Sequence, residues 1–281
     1  MANAKSKAPE SNEIQIMQVN QGAIEFCLVG TSPLLYNAMS EKAWHELLYP
    51  SPKKNAAEKQ SSMKHDPPSE FRNSTYHHTE DTAATRLNFP SAAFKKALAS
   101  AALDIPGAAK AQIGRLVWAQ GQRVDMYGIP QLSCMIVRMA DMNRTPDVRT
   151  RAILPEWACR VSMRFMEPIL KAQTITNLFA AAGFICGIGD GRQQKGSLSY
   201  GQFRLCGLDD PDYVRITTSM GRVPQDAALA EPSYYDEETE RLMLWFKAEV
   251  VKRDGRNGRP VHNTNGAAKA ASLPLPPDAE V

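Results

Sequence analysis

The chain has 281 residues, 43% hydrophobic and 22% charged, enough apolar material for one large or two small globular domains and too much for a wholly disordered polymer. Its formal net charge of +3 excludes a generally basic protein, so any nucleic-acid surface has to come from local clusters of Arg and Lys. Cys27, Cys134, Cys159, Cys186 and Cys206 show no C-x-x-C spacing, which leaves them as buried thiols of a reducing compartment.

Residues 1–13 are polar, predict disorder and lack the apolar core of a signal peptide. Nowhere do about 18 apolar residues run together, so the expectation is a cytoplasmic protein with no membrane partner. Residues 22–30 (GAIEFCLVG) read as a strand, because Ile24, Phe26 and Leu28 alternate with Glu25 and Cys27. Ser40 caps a short amphipathic helix, SEKAWHELL, on which His45 has no partner at metal-ligand spacing. Residues 50–85 are polar and nearly free of aliphatic side chains, and read as an insertion or mobile flap. This segment holds His65 and the pair His77–His78 close to Glu80 and Asp81. Adjacent histidines more often point apart than converge, so no metal is expected.

Residues 86–102 (RLNFPSAAFKKALASAA) read as a short extended stretch, Pro90, and a helix capped by Ser91. Phe94 and Leu98 share a face with Ala97 and Ala101, while Lys95 and Lys96 point elsewhere. GRLVWAQ, QRVDMYG and QLSCMIVRMA then read as consecutive antiparallel strands between residues 114 and 140. Residues 141–156 read as a loop carrying Arg144, Arg149 and Arg151. In WACRVSMRF (157–165) the alternation puts Trp157, Cys159, Val161, Met163 and Phe165 on one face, so Arg160 and Arg164 project together from the other with Ser162 between them. A solvated sheet face diluted by Asp147 and Glu156 is one reading; a basic track running from the loop onto the strand is the other.

Residues 174–182 read as an apolar helix capped by Thr174 and stopped by Gly183. The loop that follows, GFICGIGDGRQQKGSLSYGQF, contains Gly187, Gly189, Gly191, Gly196 and Gly201 with Arg192 and Lys195. Side-chain-free backbone beside two cations suits close approach of amides to phosphate, and a long mobile turn is the alternative. A dinucleotide fingerprint is excluded because the helix precedes the loop, and a P-loop because Gly196 follows Lys195. Asp190 reads as a turn residue. Residues 202–205 and 213–216 read as strands, 236–251 as an amphipathic helix with acids early and bases late, and 255–281 as a disordered tail.

Two of these segments, in this order, resemble the RAMP superfamily of CRISPR-associated proteins. Phe89-Pro90-Ser91-Ala92-Ala93-Phe94-Lys95 is similar to the family's proline–serine lead into a lysine-bearing helix. Gly187 to Gly196, continued through Tyr200-Gly201-Gln202-Phe203, resembles its glycine-rich loop, and Thr31-Ser32-Pro33-Leu34 fits the end of its first strand. The resemblance implies an α+β fold, a ferredoxin-like or RRM-like antiparallel sheet with helices on one face. It implies one domain over residues 14–254, with a finger-like insertion at 50–85 and a thumb-like one at 141–156.

The expected function is a non-catalytic subunit that binds single-stranded guide RNA, or single-stranded DNA in a phage-borne relative. The expected partners are copies of itself along the strand and other effector subunits, with no cofactor. The nucleic-acid-binding candidates are Lys95, Lys96, Arg144, Arg149, Arg151, Arg160, Arg164, Gly187, Gly189, Gly191, Arg192 and Lys195. The alternatives are a metal-dependent nuclease using Asp141 or Asp147, and a viral structural protein whose charges are ordinary surface.

Overall fold

The computed structural model describes residues 16–49, 65–138, 142, 144–195 and 198–256, so the expectations for residues 1–13, for the tail from 257, for 50–64 and for Asp141 lie outside it. The strands are β1 (Asn20–Gly30), β2 (Leu34–Leu35), β3 (Tyr76–His77), β4 (Leu87–Pro90), β5 (Val117–Ala119), β6 (Arg123–Tyr127), β7 (Gln131–Arg138), β8 (Pro146–Leu154), β9 (Ala158–Glu167) and β10 (Phe203–Cys206). The helices are α1 (Glu41–Leu48), α2 (Pro67–Asn73), α3 (Ser91–Ala101), α4 (Lys110–Leu116), α5 (Ala172–Ile185), α6 (Pro211–Ser219), α7 (Arg222–Ala230) and α8 (Glu237–Arg256). The fold is α+β and its strands pair antiparallel. The main sheet has seven strands in the order β10-β1-β9-β6-β4-β3, with β5 also on β9, and a second sheet runs β2-β8-β7. The chain divides into two compact units, residues 1–239 and 240–281.

The main sheet buries one face against α3 and α5. Phe26 and Leu28 of β1 and Val161, Met163 and Phe165 of β9 alternate onto this face and are almost fully buried, as the period-two pattern predicts. Phe179 of α5 lies 4.9 Å from Phe26 and 5.2 Å from Phe203, and Phe94 of α3 reaches Phe203 at 6.4 Å. Truncating one of these rings removes about 3–5 kcal/mol of packing. Gly183 is part of α5 rather than its stop, and a Cβ there would strike the Phe203 carbonyl, so this glycine lets α5 sit down on β10. The left-handed stop is Gly187 at φ +65°, and α5 begins before Thr174, with no side-chain cap.

Helices on one face only was the expectation, and α6 overturns it. Tyr213 and Ile216 of α6 close over Cys27, Val29 and Ala158 on the sheet's other face. Residues 213–216 are therefore helical rather than a strand, and the cause is local: Asp210 accepts hydrogen bonds from the amides of Asp212 and Tyr213 ahead of Pro211 at the first helical position.

Three further expectations change. Gly114–Leu116 end α4 instead of starting a strand. Part of the flap is ordered as α2 and β3, with Phe71 fully buried. Much of the loop at 141–156 is β8, paired with β7 from Gln131↔Ile153 to Arg138↔Pro146. Its alternation of Val148, Thr150 and Ala152 with Arg149 and Arg151 is a strand pattern masked by charge. Ser91 does not cap α3 either, since its hydroxyl donates to the Gly121 carbonyl.

Candidate nucleic-acid interface

β7 and β8 form a hairpin whose two halves differ. The base is buried: Leu34 and Leu35 pair with Leu154 and Ile153, and α2 packs on β8. Towards the tip Ile136, Arg138, Met142, Arg144 and Pro146 are exposed, and Arg149 is half-buried. Arg144 holds a left-handed φ of 47°, unusual for a residue with a side chain. The result is an arm whose exposed end carries Arg138 and Arg144, with Arg149 half-buried behind them.

His65 fastens this arm to α2, with Nδ1 2.8 Å from Glu70 Oε1 and Nε2 3.0 Å from Asp147 Oδ1. Asp147 also faces Arg149 at 3.7 Å. Between β8, α2 and the start of α1 lies a cleft of about 350 Å³, with Arg149, Arg151, His65, Asn73 and Ser40 among its walls. His77 and His78 go elsewhere. His77 Nε2 is 2.6 Å from Thr75 Oγ1, and His78 Nε2 lies 2.7 Å from Asp125 Oδ1 without the alignment of a hydrogen bond. Among the described residues no three His, Cys, Asp or Glu side chains converge as metal ligands.

The glycine loop is strapped to its surroundings. The Asp190 amide donates to the Leu35 carbonyl, Ile188 to Gly201, Gly201 to Pro33 and Tyr200 to Gly191. Gly187, Gly189, Gly191 and Gly201 all have left-handed φ. A Cβ on Gly189 would lie 2.6 Å from Leu34 Cδ1 and 2.7 Å from the Leu35 carbonyl oxygen, so this glycine is required for fit against β2. Asp190 is more than a turn residue, because its carboxylate pairs with Arg151 and ties the loop to the base of the arm. Burial, and then the neighbouring Arg149 charge, push the Arg151 pKa down. Arg192 is half-exposed with no ion pair among the described residues, and Lys195 ends a 3-10 turn, Gln193–Lys195.

Arg160 and Arg164 stand on the main-sheet face opposite α3 and α5, as alternation predicts. Arg160 pairs with Glu25, whose carboxyl is held below its usual range by the Ser162 hydroxyl and by Arg160. This ion pair is open to solvent and holds little. Among the described residues Arg164 has neutral partners, donating to Gln120 Oε1 at 3.3 Å and Gln21 Oε1 at 3.2 Å. Trp118 stands opposite Arg164 in the β5–β9 register; the sequence placed it in a strand, but a three-residue strand is too short to announce its face.

The expected continuous track is divided into patches. Arg164 sits about 20 Å along β9 from Ala158, at roughly 3.3 Å per residue, away from the turn to β8 that leads to Arg149 and Arg151. Lys95 and Lys96 ride on α3, which covers the other face of the sheet. Arg149, Arg151 and the glycine loop are brought together; Arg160 and Arg164 form a second patch and the lysines a third.

No protein-family model matches the chain, and no curated protein matches it. Among the described residues, no helix is long and apolar enough to cross a membrane.

Proposed function

We propose that the protein is a non-catalytic subunit that binds single-stranded nucleic acid, guide RNA or single-stranded DNA, and assembles in copies along the strand. The observation that carries this reading is the arm. An exposed hairpin end with Arg138 and Arg144, and Arg149 close behind on the same ribbon, suits contact with a polyanion. The RAMP-like reading has further support from topology. Taken alone, β1, α3, β5, β9, α5 and β10 follow a βαββαβ sequence with the pairing order β10-β1-β9-β5, the arrangement of a ferredoxin-like unit, onto which β6, β4 and β3 are added. Metal-dependent cleavage is the weaker reading, because Asp147 already faces His65 and Arg149.

The test is binding of a labelled single-stranded 30-mer across a salt series. Each phosphate neutralised on a single strand contributes about 0.7 to the log–log slope, so R138A/R144A/R149A should lower the slope by about 2. Unrelated sequences of equal length should bind within a few-fold of one another. A triple variant with wild-type affinity and slope overturns the arm as the binding element.

A further inference from the structure

The open end of the main-sheet face holds a combination that charge alone does not require. In the β5–β9 register Trp118 is the direct partner of Arg164, which places their Cβ atoms about 4.5–5.5 Å apart on one face. On the other side Arg164 is flanked by Ala23 of β1, exposed and too small to obstruct anything lying beside it. Gln120 and Gln21 hold the guanidinium from two sides through their side-chain oxygens. α3, which packs against β5, lies on the opposite face, and α6 covers only the far end around Cys27, Val29 and Ala158. What remains is a shallow platform: a half-buried indole, a small floor, and a guanidinium fixed by neutral amides with its charge uncancelled by any carboxylate among the described residues.

Resting on the single-strand reading above, we propose that Trp118 and Arg164 form a one-nucleotide subsite, in which a base stacks on the indole and Arg164 takes the adjoining phosphate. An aromatic face accepts every base, so the subsite adds affinity without reading sequence. A planar base needs the flat apolar surface and its phosphate needs the cation. An apolar peptide would have no use for Arg164, and an acidic one none for Trp118.

The experiment compares the full-length protein with Trp118→Leu, Trp118→Phe and Arg164→Gln, using a single-stranded 30-mer and a 30-mer with abasic sites throughout its middle. Stacking is worth about 1–3 kcal/mol per base, so Trp118→Leu should weaken binding to the normal strand by about 5- to 150-fold, while Trp118→Phe stays within about threefold. The wild type should discriminate against the abasic strand and Trp118→Leu should lose that part of the discrimination, which a merely structural indole would not do. Arg164→Gln should lower the salt slope by about 0.7. Equal melting temperatures for the wild type and all three variants keep the comparison about binding. If Trp118→Leu binds both strands as the wild type does, the subsite is wrong while the arm stands. If the wild type binds no single strand even at low salt, both readings fall.

Discussion

Gln225 shows how much a single polar side chain holds here. It is fully buried on α7, where its Oε1 accepts from the amides of Arg86 and Leu87 and its Nε2 donates to the carbonyls of Met126, Gly128 and Met220. It thereby satisfies backbone at the ends of β4 and β6 that the sheet leaves open. Removing it strands several buried groups, so Gln225→Ala should cost about 3–5 kcal/mol, and Gln225→Glu no less, because a carboxylate cannot donate to carbonyls. The midpoint of urea unfolding measures this, and a glutamate variant within about 1 kcal/mol of wild type would refute the role. The glycine loop makes the complementary case. Gly189→Ala, at φ +84° and against Leu34, should lower stability by about 2–4 kcal/mol. Arg192→Ala should leave stability within about 0.5 kcal/mol and remove about 0.7 from the salt slope. Gln225 was invisible in the sequence, where nothing about a glutamine between Pro224 and Asp226 marks it as buried.

Among the elements, α6 depends on one carboxylate. Asp210 caps it and pairs with Arg204 at 2.6 and 3.0 Å, and these bonds, Arg204 first, hold its pKa down to about 2. The folded state therefore favours the ionised group. That preference is complete above the ordinary carboxylate pKa near 4 and is lost as pH falls from about 4 towards 2. Amide protection across 211–219, measured against the intrinsic exchange rate at each pH, should fall over that window as α6 lifts from Cys27 and Val29, and Asp210→Asn should flatten the response; an unchanged acid profile in the variant would remove Asp210 from the account. Elements were legible where one signal ran unbroken. β9 declared both faces by strict alternation, α1 its start by Ser40, whose hydroxyl accepts from the Ala43 amide, and α8 its start by Asp236. In α6 the β-branched Val214, Ile216, Thr217 and Thr218 outweighed the Asp210–Pro211 start, and in β8 the two arginines hid a period of two.

At the scale of the molecule, the sequence identified basic residues one by one and missed their grouping, because which side of a sheet a helix covers is decided by pairings between distant segments. That is why Lys95 and Lys96 stood in one set of candidates with Arg160 and Arg164, although the main sheet lies between them. Long assemblies should form only with nucleic acid, and nuclease treatment should return them to protomers by light scattering; assemblies that survive digestion would favour a structural protein. Deleting residues 1–13 and 257–281 should leave cooperative unfolding unchanged by calorimetry, their composition offering little to a core.

The position of β1 in its sheet has a consequence for how the chain is made. It leaves the ribosome well ahead of its neighbours β9 and β10, which end at Glu167 and Cys206. At about 5–20 residues per second, β1 waits on the order of 10–30 s for its second partner, with Phe26 and Leu28 uncovered meanwhile. Nascent chains stalled between residues 30 and 206 should therefore engage chaperones and resist protease poorly, and protection should arrive late and in one step.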